Sequence, residues 1–215
     1  MSKKIHTIQS SDKKEFDEKV NIFLEHGCEL MDGGYEVIKN DDRVVYSQVI
    51  VFNNCEVEFW KNRQIKTIFS LNENGKKDVG TAWHENGQKA WEKTFKDERI
   101  YRLVTTWHEN GQKCREQIYK DGIPNGKGTE YFENGQKKNQ GTFKNGKLDG
   151  LFENWYENGQ KKSTGKYKDG KDDGMFTIWY KNGDKLLEGS WENGEKAGQW
   201  INYLEDGTIN SVVEY

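Results

Sequence analysis

Large rings recur along most of this chain at a fixed interval. Trp83, Trp107, Tyr131, Trp155 and Trp179 follow one another every 24 residues, and the column extends back to Phe59 and forward to Tyr203. The next position reads Trp60, His84, His108, Phe132, Tyr156, Tyr180 and Leu204, and a third column runs Phe95, Tyr119, Phe143, Tyr167 and Trp191. Glycines keep step at Gly141, Gly165 and Gly189, and at Gly126, Gly150, Gly174 and Gly198. So regular a period marks one structural unit copied along the chain. Each copy holds two turn signals. One is Asn-Gly just after the first aromatic columns (86–87, 110–111, 134–135, 158–159, 182–183); the other is Asp-Gly or Asn-Gly after the third (121–122, 145–146, 169–170, 193–194). Both dipeptides supply the positive-φ pair of a type I′ turn, so two-residue hairpins are predicted at each. Roughly eight to ten residues lie between turns, room for one strand.

The predicted architecture is mainly β: an elongated single-sheet antiparallel meander of 24-residue hairpin repeats, with one proline, Pro124, placed in a turn. Equivalent residues in adjacent copies then lie about 9.6 Å apart, in rows along a face. The first two columns occupy adjacent positions, and side chains alternate between faces, so both faces carry rings that pack over the glycine columns. One aromatic column is expected to be mostly buried and the other partly available on a concave surface. Irregular turns are expected at 93–104, where the usual turn dipeptide is missing, and a length shift at 71–80.

Residues 1–57 lack the period. A strand over 3–9 precedes Asp12-Lys13-Lys14-Glu15, which has the form of a capping box. Phe16, Val20, Phe23 and Leu24 then form a helical stripe that Gly27 ends, and 35–39 and 43–52 alternate as strands about Asn40-Asp41-Asp42. A small β-α-β-β capping domain at 1–57 and a repeat domain at 58–215 are the predicted divisions. A cap of this kind protects the first strand of an open sheet from recruiting others.

Composition supports a thin structure. Of 215 residues 33% are apolar and 32% charged, too polar for one large core, yet 13% are aromatic, with eight Trp, too many for a disordered chain. The 33 basic and 36 acidic residues leave a net charge of −3, which argues against nucleic acid and, more weakly, against an anionic membrane as the partner. Cys28, Cys55 and Cys114 are odd in number and form no CxxC, which suits free thiols in a reducing compartment. The start has no apolar run for a signal peptide and no segment is long enough to span a membrane, so a cytoplasmic protein is expected.

No catalytic residue, metal ligand or cofactor motif stands out. His84 and His108 fall a repeat apart, too far to share a metal. Cys114 would need a base such as His108 across the turn to act as a nucleophile, but His108 is supplied by the repeat itself. Glu85, Glu109, Glu133 and Glu157 recur as turn residues, four positions before Lys89, Lys113, Lys137 and Lys161, and are placed to offset them. The partner-binding candidates are therefore Trp83, Trp107, Tyr131, Trp155, Trp179 and Tyr203, with Lys113, Lys137 and Lys161. Tyr and Trp give rigid contact area and dominate binding energy at interfaces. The competing reading has the rings pack on each other and on glycine.

The two best copies read GTFKNGKLDGLFENWYENG (141–159) and GKYKDGKDDGMFTIWYKNG (165–183). This pattern resembles the bacterial variant of the MORN repeat over roughly 59–210, most strongly from 126 to 200. Many bacterial chains built from it are grouped as YwqK-type antitoxins. The resemblance implies an elongated all-β sheet used for protein contacts, with no shared catalytic residues; MORN repeats elsewhere are associated with phospholipids and with homodimers. Val20, Asn21, Leu24, Gly27, Glu29, Leu30, Gly33 and Gly34 are similar to a small bacterial domain of unknown function, although Cys28 stands where that family usually has Trp. The first expectation is a non-enzymatic protein-interaction scaffold, an antitoxin or immunity protein that occludes a toxin. The alternatives are an adaptor for phospholipid or membrane surfaces, and a structural protein that self-associates as a homodimer through a strand at 210–214.

Overall fold

The computed structural model describes residues 4–10, 13–25, 29–40, 43–52, 55–62 and 64–215. It opens with β1 (Lys4–Ser10), α1 (Lys13–Glu25), β2 (Glu29–Asn40) and β3 (Arg43–Phe52), the strands forming an antiparallel sheet of order β1-β3-β2. The predicted β-α-β-β unit is present, with β2 longer than the alternation at 35–39 suggests. The cap at Asp12, the stop at Gly27 and the turn at 41–42 lie outside the described residues.

Fourteen strands follow: β4 (Cys55–Phe59), β5 (Ile65–Leu71), β6 (Lys77–Trp83), β7 (Lys89–Lys96), β8 (Arg99–Trp107), β9 (Lys113–Lys120), β10 (Ile123–Tyr131), β11 (Lys137–Lys144), β12 (Lys147–Trp155), β13 (Lys161–Lys168), β14 (Lys171–Trp179), β15 (Lys185–Glu192), β16 (Glu195–Tyr203) and β17 (Ile209–Glu214). Each pairs only with its neighbours in sequence, giving one open antiparallel meander. By its internal contacts the chain divides into two compact units, one of Met1–Gly87 with Phe95–Glu98 and one of Gln88–Thr94 with Arg99–Tyr215. Among the described residues no helix is long and apolar enough to cross a membrane.

The two turn signals fold differently. At Asp121-Gly122, Asn145-Gly146, Asp169-Gly170 and Asn193-Gly194 both residues have positive φ, the type I′ geometry the sequence predicts. After the aromatic columns only the glycine does. There the amide of Gly111 donates to the His108 carbonyl (2.9 Å) and that of His108 to Gln112 (2.8 Å), leaving three residues in the loop. This is a type I turn closed by a glycine bulge, not the predicted I′ turn. The reason lies in the asparagine: in αR its side-chain oxygen accepts the Gln112 amide at 2.9 Å, which an αL asparagine would forgo. The turn at 97–98 also departs from expectation. Asp97 and Glu98, at φ 50° and 64°, keep the two-residue form without a glycine. At 71–80 the predicted length shift appears: Asn72 to Lys76 form the longer, bulged loop in place of a two-residue turn.

In the first unit α1 supplies the core. Phe16 (1% exposed) meets Cys55, Ile68 (0%) and Trp83 (8%), with Val20, Ile22, Val57, Phe59 and Ile65 packed around them. Burying such side chains contributes about 1.5–3 kcal/mol each. Leu24, the last residue of the predicted stripe, is instead exposed. Cys55 is disulfide-bonded, against the expectation of three free thiols, whereas Cys114 is free.

In the second unit rings cover glycines. A Cβ on Gly141 would lie 2.6 Å from the Phe152 ring opposite it, one on Gly165 2.9 Å from Phe176, and one on Gly189 2.4 Å from Trp200. The repeat of β9 and β10 inverts this pairing. Gln117 takes the glycine position and Gly128 the ring position, and the glutamine lies over the glycine, 1% exposed.

Candidate interaction surface

Cross-strand partners point to the same face of a sheet, so the register places the candidates. Trp107 lies opposite Lys113, Tyr131 opposite Lys137, Trp155 opposite Lys161 and Trp179 opposite Lys185. The aromatic row and the lysine row of the second unit therefore share one face, alternating ring and cation. Lys89 lies 5.6 Å from the centroid of the Trp107 ring and Lys137 5.6 Å from that of Trp155, so a lysine also reaches the ring of the following copy. Trp107, Tyr131, Trp155, Trp179 and Tyr203 are half-buried. Trp83 is different: it is buried in the first unit beside Phe16 and Ile68.

Between the rows runs a column of acceptors. Glu116 takes Lys113 Nζ at 2.6 Å and the Tyr131 hydroxyl at 2.7 Å; Glu188 takes Lys185 Nζ at 2.6 Å and the Tyr203 hydroxyl at 2.5 Å. Where the ring is Trp, the corresponding position holds Glu92, Gln140 or Thr164. Lys137 donates to Gln140 at 3.1 Å, and Lys161 pairs with Glu153 at 2.7 Å. Lys113, Lys161 and Lys185 are thus offset by carboxylates within the strands, whereas the sequence pointed to the turn glutamates. The hydrogen bonds from Lys113 and Tyr131 hold the Glu116 carboxyl below its usual range, and those from Lys185 and Tyr203 do the same for Glu188. Burial, then the Glu116 bond, pushes the Tyr131 phenol up to about 12.

The second aromatic column holds the copies together. The Trp60 indole donates to the Trp83 carbonyl (3.1 Å), Tyr156 to Trp179 (2.7 Å) and Tyr180 to Tyr203 (3.0 Å). His108 Nε2 does the same to Tyr131 (3.2 Å), which makes that nitrogen the protonated one. His108 is thereby occupied in a structural bond. Among the described residues no group of three or more His, Cys, Asp or Glu could hold a metal.

Sequence reasoning missed a further row. The side-chain amide of each turn asparagine donates to a carbonyl one copy on: Asn110 to Glu133 (2.7 Å), Asn134 to Glu157 (3.1 Å), Asn158 to Lys181 (3.4 Å) and Asn182 to Glu205 (3.3 Å). On the opposite edge the turn glycines donate back: Gly122 to Ile100, Gly146 to Pro124, Gly170 to Leu148 and Gly194 to Asp172, at 2.8 to 2.9 Å. The signal was in plain view, since Asn precedes each of Gly87, Gly111, Gly135, Gly159 and Gly183, where Asp would serve a two-residue turn equally well.

No curated protein matches the chain. Residues 124–145 and 148–169 match a known family, and each matched stretch is a pair of strands joined by a bulged Asn-Gly turn, β10 with β11 and β12 with β13. These two hairpins match the MORN repeat variant, and hairpins of the same 24-residue period recur along the long sheet.

Proposed function

We propose that this protein is a non-enzymatic scaffold that binds a protein partner through the ring-and-lysine face of its second unit. One observation carries the reading: five aromatic side chains stand in register on one face, half-buried and interleaved with lysines. Such rings are fixed in place before binding, so little conformational entropy is lost when they are covered. Carboxylates already offset Lys113, Lys161 and Lys185, which favours a mixed-charge protein surface over an anionic membrane. The partner of first choice is a toxin neutralised by occlusion, as the YwqK-type resemblance implies. The Cys55 disulfide favours an oxidising compartment over the cytoplasm, since such bonds persist there.

The test is affinity capture with the full chain from its native host, beside a Trp107→Ala/Trp155→Ala variant. A near-stoichiometric protein partner that the variant loses by about 30-fold or more is expected, since anchoring aromatics contribute about 2 kcal/mol or more each. Absence of any such protein, or retention by the variant, would refute the proposal. Self-association is a second reading, favoured by β17, all of whose residues are exposed, including Ile209, Val212 and Val213. Light scattering on the purified protein tests it.

A further inference from the structure

One copy departs from the others at a cavity. The column Gly126, Gly150, Gly174 and Gly198 has positive φ throughout, and its member in β8 is Arg102, at φ 66°. An arginine there accepts a backbone conformation that glycine adopts freely, and such strain persists where surrounding structure fixes it, often at functional sites. Beside it Tyr101 replaces the Asn, Asp or Ala of the later copies, and the guanidinium lies 5.7 Å from the Tyr101 ring centroid. Both line a cavity of about 490 Å³ with Lys120, Asn125, Lys144 and Asp149. This volume falls in the range of small-molecule sites, about 300–1,000 Å³.

The lining chemistry is selective. Among the described residues none of Arg102, Lys120 and Lys144 has a carboxylate partner, in contrast to Lys113, Lys161 and Lys185 on the aromatic row. Asp149 is the one carboxylate of the wall, leaving a surplus of two positive charges. Its Oδ2 accepts the Asp169 amide at a long 3.4 Å, so it keeps lone pairs for a hydroxyl or amine donor. Arginine and lysine with a surplus of two suit a phosphate better than a single carboxylate, since phosphate carries nearly two charges and takes the guanidinium fork bidentately. Tyr101 offers a ring against which a planar group can lie.

We propose that this cavity binds a compact phosphorylated ligand with a planar ring, of mononucleotide size, with Arg102, Lys120 and Lys144 on the phosphates, Tyr101 along the ring and Asp149 on a hydroxyl or amine. The site is separate from the ring-and-lysine row and does not depend on the scaffold reading. The repeat itself supplies the test, because Arg102→Gly restores the residue of the four equivalent positions. Removing the guanidinium in this way relieves the backbone and keeps the fold.

Titration calorimetry of the full chain at low salt with ADP, pyrophosphate and adenosine reads the binding, and thermal melting reads the fold. Saturable binding of ADP is expected, tighter than either fragment and weakened by added salt. In Arg102→Gly it should fall at least about tenfold while Tm stays level or rises by about 2–4 °C. No saturable heat with ADP, equal binding of ADP and adenosine, equal binding of ADP and pyrophosphate, or unchanged ADP affinity in Arg102→Gly would each overturn the assignment.

Discussion

At the scale of single residues, each tyrosine of the aromatic row in the second unit is tied to a carboxylate: Tyr131 and Tyr203 have their hydroxyls on Glu116 and Glu188. Trp stands where the corresponding residue is Gln140 or Thr164, and also at Trp107, where it is Glu92, which takes Lys89. The coupling sets a pH dependence. Glu116 has a lowered pKa in the fold, so its contribution is present above the unfolded carboxyl pKa and is lost as pH falls through the folded value. Tyr131 is raised to about 12, so its contribution is present below the unfolded phenol pKa, near 10, and fades as pH climbs through that raised value. Glu116→Gln should therefore lower Tm by about 1–3 °C at pH 7, and variant and parent should converge in acid, once the carboxyl is protonated. Parallel melting curves at the two pH values would show that Glu116 contributes nothing through its charge. The column of rings was legible in the sequence because it repeats. The Glu-Tyr coupling was not, since the partners lie fifteen residues apart and meet only once strands pair. Gln117 was hidden for a related reason: it breaks the glycine column, and only the register reveals Gly128 as the space that receives it.

At the scale of elements, the strands and the type I′ turns followed from hydrophobic period and turn chemistry. The Asn-Gly turns after the aromatic columns did not, because the same dipeptide serves two geometries and the deciding interactions come from the asparagine side chain. That side chain joins three things: its own turn, the strand that follows, and the next copy. Asn134 accepts the Gln136 amide at 2.9 Å and donates to Glu157 at 3.1 Å. Asn134→Ala should cost about 1–2 kcal/mol, a fall in Tm of about 2–6 °C, and speed hydrogen exchange at the Gln136 amide. Glu133→Ala next to it removes an exposed side chain and should shift Tm by no more than about 1 °C. Similar shifts for the two would show that the turn stands without its asparagine. The N-terminal unit was legible by another route, the helical stripe, yet the stripe alone did not show that Phe16 would seal Trp83, a member of the aromatic row, inside the core.

At the scale of the whole molecule, order is one-dimensional: each strand of the long sheet bonds only to the strands before and after it. The exact period made the meander readable from sequence. What the period could not convey is the pair of hydrogen-bonded seams, asparagine along one edge and glycine along the other, each stepping from copy to copy. These seams act as a ruler with one permitted division. Excising residues 148–171 joins Lys147 to Asp172, brings equivalent atoms back into alignment on both edges, and should leave a shorter protein that melts cooperatively. Cutting out 148–159 instead removes half a division, reverses the direction of every strand downstream, and should abolish the cooperative transition; circular dichroism on the two deletions would separate these outcomes. A gene for such a chain can therefore lengthen or shorten only by whole modules, so duplication and loss of complete copies, and not gradual insertion, is the route by which its reach is tuned.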